Sequence, residues 1–140
     1  MNYLLDTCVV SQFHKKLPEY VAEWFNLQDE DSLFLSVVTL AEIADGIGRL
    51  RPSRKKAYLE NFFDKLLERF NSRVLSINPQ VALEWGYLNS LMRKKGQTIG
   101  VQDLYISATA KHHSMSVVTI NERHFAPVNI KVVNPWKFKD

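Results

Sequence analysis

With 140 residues, 46% of them hydrophobic, the chain is long enough for one packed domain and too apolar for general disorder. Its apolar runs fall far short of a bilayer's thickness, and a single cysteine, Cys8, excludes an internal disulfide. The formal charge of +3 is mild, and no basic leader with an apolar stretch and cleavage site is visible, so the expected setting is reducing and cytoplasmic, with no membrane.

Residues 2–5 read as a short buried strand that runs into Asp6, and Thr7 to Phe13 as a short helix. Pro18 opens an amphipathic helix with Tyr20, Val21, Trp24, Phe25 and Leu27 on roughly one face, and Asp29-Glu30-Asp31-Ser32 breaks it. Residues 33–38 form a second buried strand. A helix from about Thr39 to Ile47 carries Glu42, with Gly46 and Gly48 marking its end. After Pro52 a long helix runs to about Phe70, with Leu59, Phe62, Phe63, Leu66, Leu67 and Phe70 at helical spacing; its aromatics suit a core or a subunit interface. A third strand covers 74–77, and Pro79 starts a helix that stops near Gly96. Val101 to His113 is a helix, Ser116 to Ile120 a strand, and Lys131 to Val133 a last strand before Asn134-Pro135-Trp136. Strands alternate with helices throughout. The fold class is therefore α/β, a mostly parallel sheet with helices on both faces, in a single domain over 1–140.

Three acids, Asp6, Glu42 and Asp103, fall where a strand hands over to a helix. Ligands of open α/β sheets bind outside the carboxyl ends of the strands. Three carboxylates delivered there without an obvious permanent cationic partner point to a divalent cation, and hard oxygen ligands suit Mg2+ or Mn2+. Metal-assisted phosphoryl chemistry follows, because such an ion lowers the pKa of a water, orients the scissile phosphate and neutralises charge on the leaving oxygen. Singly, each acid has a plainer reading: Asp6 as a helix N-cap, Asp103 as a first-turn acid favoured by the helix dipole, Glu42 as a solvated helix residue. Their common position at one sheet edge favours a site. Basic clusters at Arg49, Arg51, Arg54, Lys55 and Lys56, and at Arg93, Lys94 and Lys95, suit a phosphate backbone or simply solvate helix ends. Thr7, Ser36 and Thr119 are strand-end hydroxyls that either bond the carboxylates or cap helices. Cys8 reads as a space filler behind the first strand, and His14 and His124 lack ligand-like spacing.

Four segments in this order, Leu4-Leu5-Asp6-Thr7, Ser36-Val37-Val38-Thr39-Leu40-Ala41-Glu42-Ile43, Asp103-Leu104-Tyr105-Ile106-Ser107-Ala108-Thr109-Ala110 and Val118-Thr119-Ile120-Asn121, resemble PIN-domain ribonucleases. More closely, the chain resembles the VapC/FitB-type toxins of type II toxin–antitoxin pairs, over essentially its whole length. The resemblance implies a three-layer α/β/α domain and metal-dependent cleavage of RNA, with Asp6, Glu42 and Asp103 catalytic and Asp6 and Asp103 as metal ligands. It also implies a cognate antitoxin that blocks the acidic site, and usually a homodimer, for which the Pro18–Leu27 and Pro52–Phe70 helices are the expected contacts. Two departures stand out. Cys8 occupies a place where such proteins often carry Asn or Ser, and the fourth acidic position is Asn121, with Glu122 adjacent as a substitute. Two other readings remain. A non-catalytic PIN-like scaffold for nucleic acid or protein has little use for three clustered acids. An aspartate-nucleophile phosphatase lacks its usual second Asp, because Cys8 stands there.

Overall fold

Tyr3–Leu5 (β1) forms the centre of a five-stranded sheet in the computed structural model, which describes residues 1–137; positions 138–140 of the expected domain lie outside the described residues. β1 pairs in parallel with Leu33–Ser36 (β2) on one side and with Ser116–Val118 (β4) on the other. Val74–Leu75 (β3) extends the sheet beyond β2, and Val132–Val133 (β5) beyond β4, giving the order β3-β2-β1-β4-β5 with every pair parallel. The chain thus builds outward on one side of β1 and then returns to build the other side. That reversal leaves a crevice at the carboxyl end of β1, beside β4.

Among the described residues, six α-helices connect and cover the strands: Thr7–Val10 (α1), Glu19–Asn26 (α2), Val37–Gly48 (α3), Arg54–Arg69 (α4), Pro79–Lys94 (α5) and Val101–His112 (α6). Alternation along the strands divides the core in two. Leu4 and Val117 face α5 and α6, where Leu88, Met92, Leu104 and Ile106 are buried. Leu5, Leu33, Leu35 and Val118 face the other way, onto Val9, Val10, Leu66 and Phe70. Helices therefore cover both faces of the sheet, which makes the three layers.

Several boundaries differ from expectation. β2 stops at Ser36 because the Ser36 hydroxyl accepts from the Val38 N–H at 3.0 Å and starts α3 at Val37. Gly46 and Gly48 lie in the last turn of α3, as expected, with Arg49 as the C-cap and neither glycine in the left-handed region. Leu27 lies past the end of α2 and is 82% exposed, and Asp29–Ser32 closes into a 3-10 turn rather than plain loop.

The surplus apolar surface expected on α2 is consumed within the chain. Trp24 meets Tyr3 edge-on at 5.2 Å, Phe25 meets Phe13 at 5.3 Å, and the Tyr20 hydroxyl donates to the Trp136 carbonyl. On α4, Phe62, Phe63 and Leu66 pack on the same core. The outer face of α5 is different: Leu83 and Tyr87, one turn apart, are 75% and 61% exposed.

One charged group is buried for the fold. Arg73 donates to the carbonyls of Glu30, Leu33 and Arg69 and lies 4.5 Å from the centre of the Phe70 ring, clamping the turn before β2 to the end of α4. Glu30 takes hydrogen bonds from Arg69 and Arg73, and these hold its carboxyl below the usual range. A depressed pKa stabilises the fold above the ordinary Glu value and is lost as pH falls through the lowered one. Thermal melts should therefore show wild type losing stability relative to Glu30→Gln as the pH drops below about 4.5. Parallel curves for the two proteins over that range would contradict it.

Candidate functional site

Asp6 is 6% exposed at the carboxyl end of the central strand. Its backbone N–H continues the β1–β4 ladder to the Val118 carbonyl. Its side chain does cap α1, accepting from the Thr7 N–H at 2.9 Å, so the plainer reading describes part of its role. The other oxygen, Oδ2, accepts from the Thr119 hydroxyl at 2.7 Å and from the Cys8 thiol at 3.3 Å. Thr119 in turn accepts from the Asn121 N–H, so the turn after β4 is tied to the carboxylate through one hydroxyl.

Glu42 comes from α3 and Asp103 from the first turn of α6. With Asp6 they line one open cavity of about 370 Å3, together with Thr7, Asn121 and His124. The Thr7 hydroxyl stands 2.8 Å from Glu42 Oε1 and 2.9 Å from the Thr39 hydroxyl. Asp103 Oδ2 lies 3.1 Å from His124 Nδ1. Burial pushes the Glu42 carboxyl up against the opposing Thr7 hydrogen bond, and the charges of Asp6 and Asp103 add to the rise. Burial and then the Asp6 charge push Asp103 up, against the pull of His124. The acids thus repel one another across the cavity.

The expected residues separate into two groups. Asp6, Glu42, Asp103, Thr7, Thr119 and Asn121 belong to this crevice. Ser36 is buried and spends its hydroxyl on the α3 cap, away from the acids. Glu122 lines a neighbouring cavity and pairs with Lys137, which takes it out of the acidic centre. Two residues read as bystanders are participants. Cys8 contacts both Asp6 and Thr119 rather than only filling space. His124 reaches Asp103 because the 3-10 turn at Glu122–His124 folds the chain back, which no side-chain spacing reveals.

Among the described residues, no three His, Cys, Asp or Glu side chains converge tightly enough to cage an ion by themselves. Hydrogen bonds to Thr7 and His124 hold two of the acids toward their own neighbours. Mg2+ needs less than a cage, since one or two carboxylates with waters and phosphate oxygens commonly hold it. The donors fit such a hard ion. The Cys8 thiol is pushed up by burial and by the Asp6 charge, so it stays protonated and the ligating set is all oxygen.

The PIN domain profile matches residues 3–131. Toxin FitB of Neisseria gonorrhoeae is 34% identical over 135 residues, covering 95% of this chain and 97% of that protein. The tRNA(fMet)-specific endonuclease VapC of Salmonella typhimurium is 29% identical over 97% of this chain and 98% of its own length. Among solved structures, FitAB bound to a DNA fragment superposes with a TM-score of 0.88 at 33% identity, over 99% of this chain and 98% of that one. DNA-bound VapBC from Salmonella typhimurium gives 0.84 at 26% identity, over 96% and 98%.

Proposed function

We propose, for a chain that belongs to the PIN-domain family, that it is an endoribonuclease of the VapC/FitB toxin type, dependent on Mg2+ or Mn2+ and held in check by a cognate antitoxin. The observation that carries the reading is Asp6 at the switch point of the sheet, sharing one cavity with Glu42 and Asp103. Asp6 and Asp103 would hold the cation, which when bound would neutralise the scissile phosphate and acidify the attacking water. The chain's own residues do the rest. Thr7 and Thr119 fix the Asp6 carboxylate in one orientation. Glu42, with its raised pKa, is suited to accept a proton from water in the cavity. Asn121 lies where its amide can orient that water without adding charge.

Purified protein should cut structured RNA with Mg2+ or Mn2+, stop in EDTA, and stop again when the antitoxin is added. An acidic pocket invites a cationic plug, and an Arg on the antitoxin's C-terminal segment suits bidentate carboxylate pairing. The solved neighbours FitAB and VapBC are toxin–antitoxin complexes, which supports a partner of that class. Cutting that continues unchanged in chelator would sink the metal mechanism; a bound antitoxin that leaves the rate unaltered would sink the plug.

The same reading includes a homodimer. We place its contact on the Leu83–Tyr87 face of α5, whose two side chains are more exposed than Tyr58 and Leu67 of α4. Sedimentation at micromolar concentration should give a dimer for wild type and a monomer for Tyr87→Glu. A wild-type monomer at that concentration would refute the assembly.

A further inference from the structure

We propose that the apolar cleft between α1, α3 and α4 is a slot for one unpaired nucleobase of the substrate, next to the scissile phosphate; the inference rests on the nuclease reading above. The cleft encloses about 210 Å3 and shares Thr7, Ser11 and Glu42 with the acidic cavity. A phosphate at the acids therefore places its neighbouring nucleoside at the mouth of the cleft. Ile47, Leu59 and Phe62 supply apolar walls. His14 supplies an aromatic one, edge-on to Phe62 at 5.6 Å and to Tyr58 at 6.1 Å, with its carbonyl held by the Tyr58 hydroxyl at 2.6 Å. Burial and the nearby charges of Lys15 and Lys55 hold the His14 pKa below its ordinary value, so the ring is neutral at pH 7. Those two lysines are close enough to His14 for their charges to act on it, and cations beside an aromatic wall suit a strand's phosphates.

Gly46 is the second observation. It sits inside α3, where glycine is the least favourable residue after proline, and its backbone is not in the left-handed region. A Cβ added there would meet nothing within 4 Å. The fold gives no reason for glycine at this position. Gly46 lines the cleft, so a bulky side chain there would add apolar volume beside it. A protein side chain would also fit an apolar cleft. The nucleotide is favoured by the Thr7, Ser11 and Glu42 lining shared with the acidic cavity, by the aromatic wall of His14, and by the lysine charges beside that ring.

The test uses single-stranded RNA oligonucleotides that share one cleavage site, with one abasic residue moved stepwise across the flanking positions. For wild type, a missing base at one flanking position should lower kcat/KM about tenfold, the order that base–aromatic stacking delivers. Gly46→Leu fills the cleft and should lose a similar factor on intact RNA, yet match wild type on the oligonucleotide abasic at that position. Anisotropy of the labelled intact oligonucleotide in EDTA should rank the two proteins the same way. Gly46→Ala should melt about 2–4 °C higher than wild type, since alanine suits a helix interior better; it separates filling of the cleft from damage to the fold. The slot is overturned if wild type cuts RNA with no sensitivity to any missing base. It is also overturned if Gly46→Leu cuts every substrate like wild type while antitoxin inhibition weakens, which would assign the cleft to the protein partner. A wild type that cuts no RNA at all would remove the nuclease reading itself, and the slot with it.

Discussion

Asp6→Asn and Asp103→Asn should each lower single-turnover RNA cleavage at fixed Mg2+ by on the order of a hundredfold or more, because cation, water and phosphate are positioned as a unit. Asparagine keeps the shape and removes the charge. In Asp6 it would also present an amide to the Thr119 hydroxyl, which now donates to a carboxylate oxygen. Asn121→Ala should cost about tenfold, the size of losing a group that orients a ligand rather than binding the ion. Glu122→Gln should stay near wild type, since Glu122 faces Lys137 and a different cavity. Equal, mild losses in all four variants would mean that the acidic cluster is not the catalytic centre.

Arg73→Ala should be the most damaging change outside the site. The guanidinium is buried and donates at 2.6 Å to the Leu33 carbonyl and at 2.7 Å to the Glu30 carbonyl. Removing it strands those acceptors and deprives Glu30 of one of its two cations, for a loss of about 3 kcal/mol. Urea denaturation would measure it, with cleavage below the transition serving as the control for an intact site. A loss under about 1 kcal/mol would show that water or a neighbouring side chain takes over the acceptors.

The fold was legible because its signals are local. Leu33-Phe34-Leu35 and Val117-Val118 are short apolar runs between turn residues, and Pro52 and Pro79 mark where α4 and α5 begin. The order of strands is not local, and the alternation of elements alone left it open. At the site, Asp6, Glu42 and Asp103 were legible as acids at element boundaries. What escaped was decided by side-chain direction after folding: Ser36 turning to cap α3, Glu122 turning to Lys137, and His124 brought onto Asp103 by a three-residue turn. The apolar series on α2 looked like surplus because its partners Tyr3, Phe13 and Trp136 lie elsewhere in the chain.

The middle strand also governs when the protein becomes active as it is made. β1 is made before the other four strands, and one of its two neighbours, β4, follows more than a hundred residues later. Helices along the way can form early from local contacts, while the pairing that anchors Asp6 must wait for a long loop to close. A nascent chain ending before Ser116 carries all three acids but has neither the ladder bond from Asp6 to Val118 nor the Thr119 hydroxyl. The acidic site therefore waits for β4, leaving a growing chain inert until that strand and Thr119 have been made.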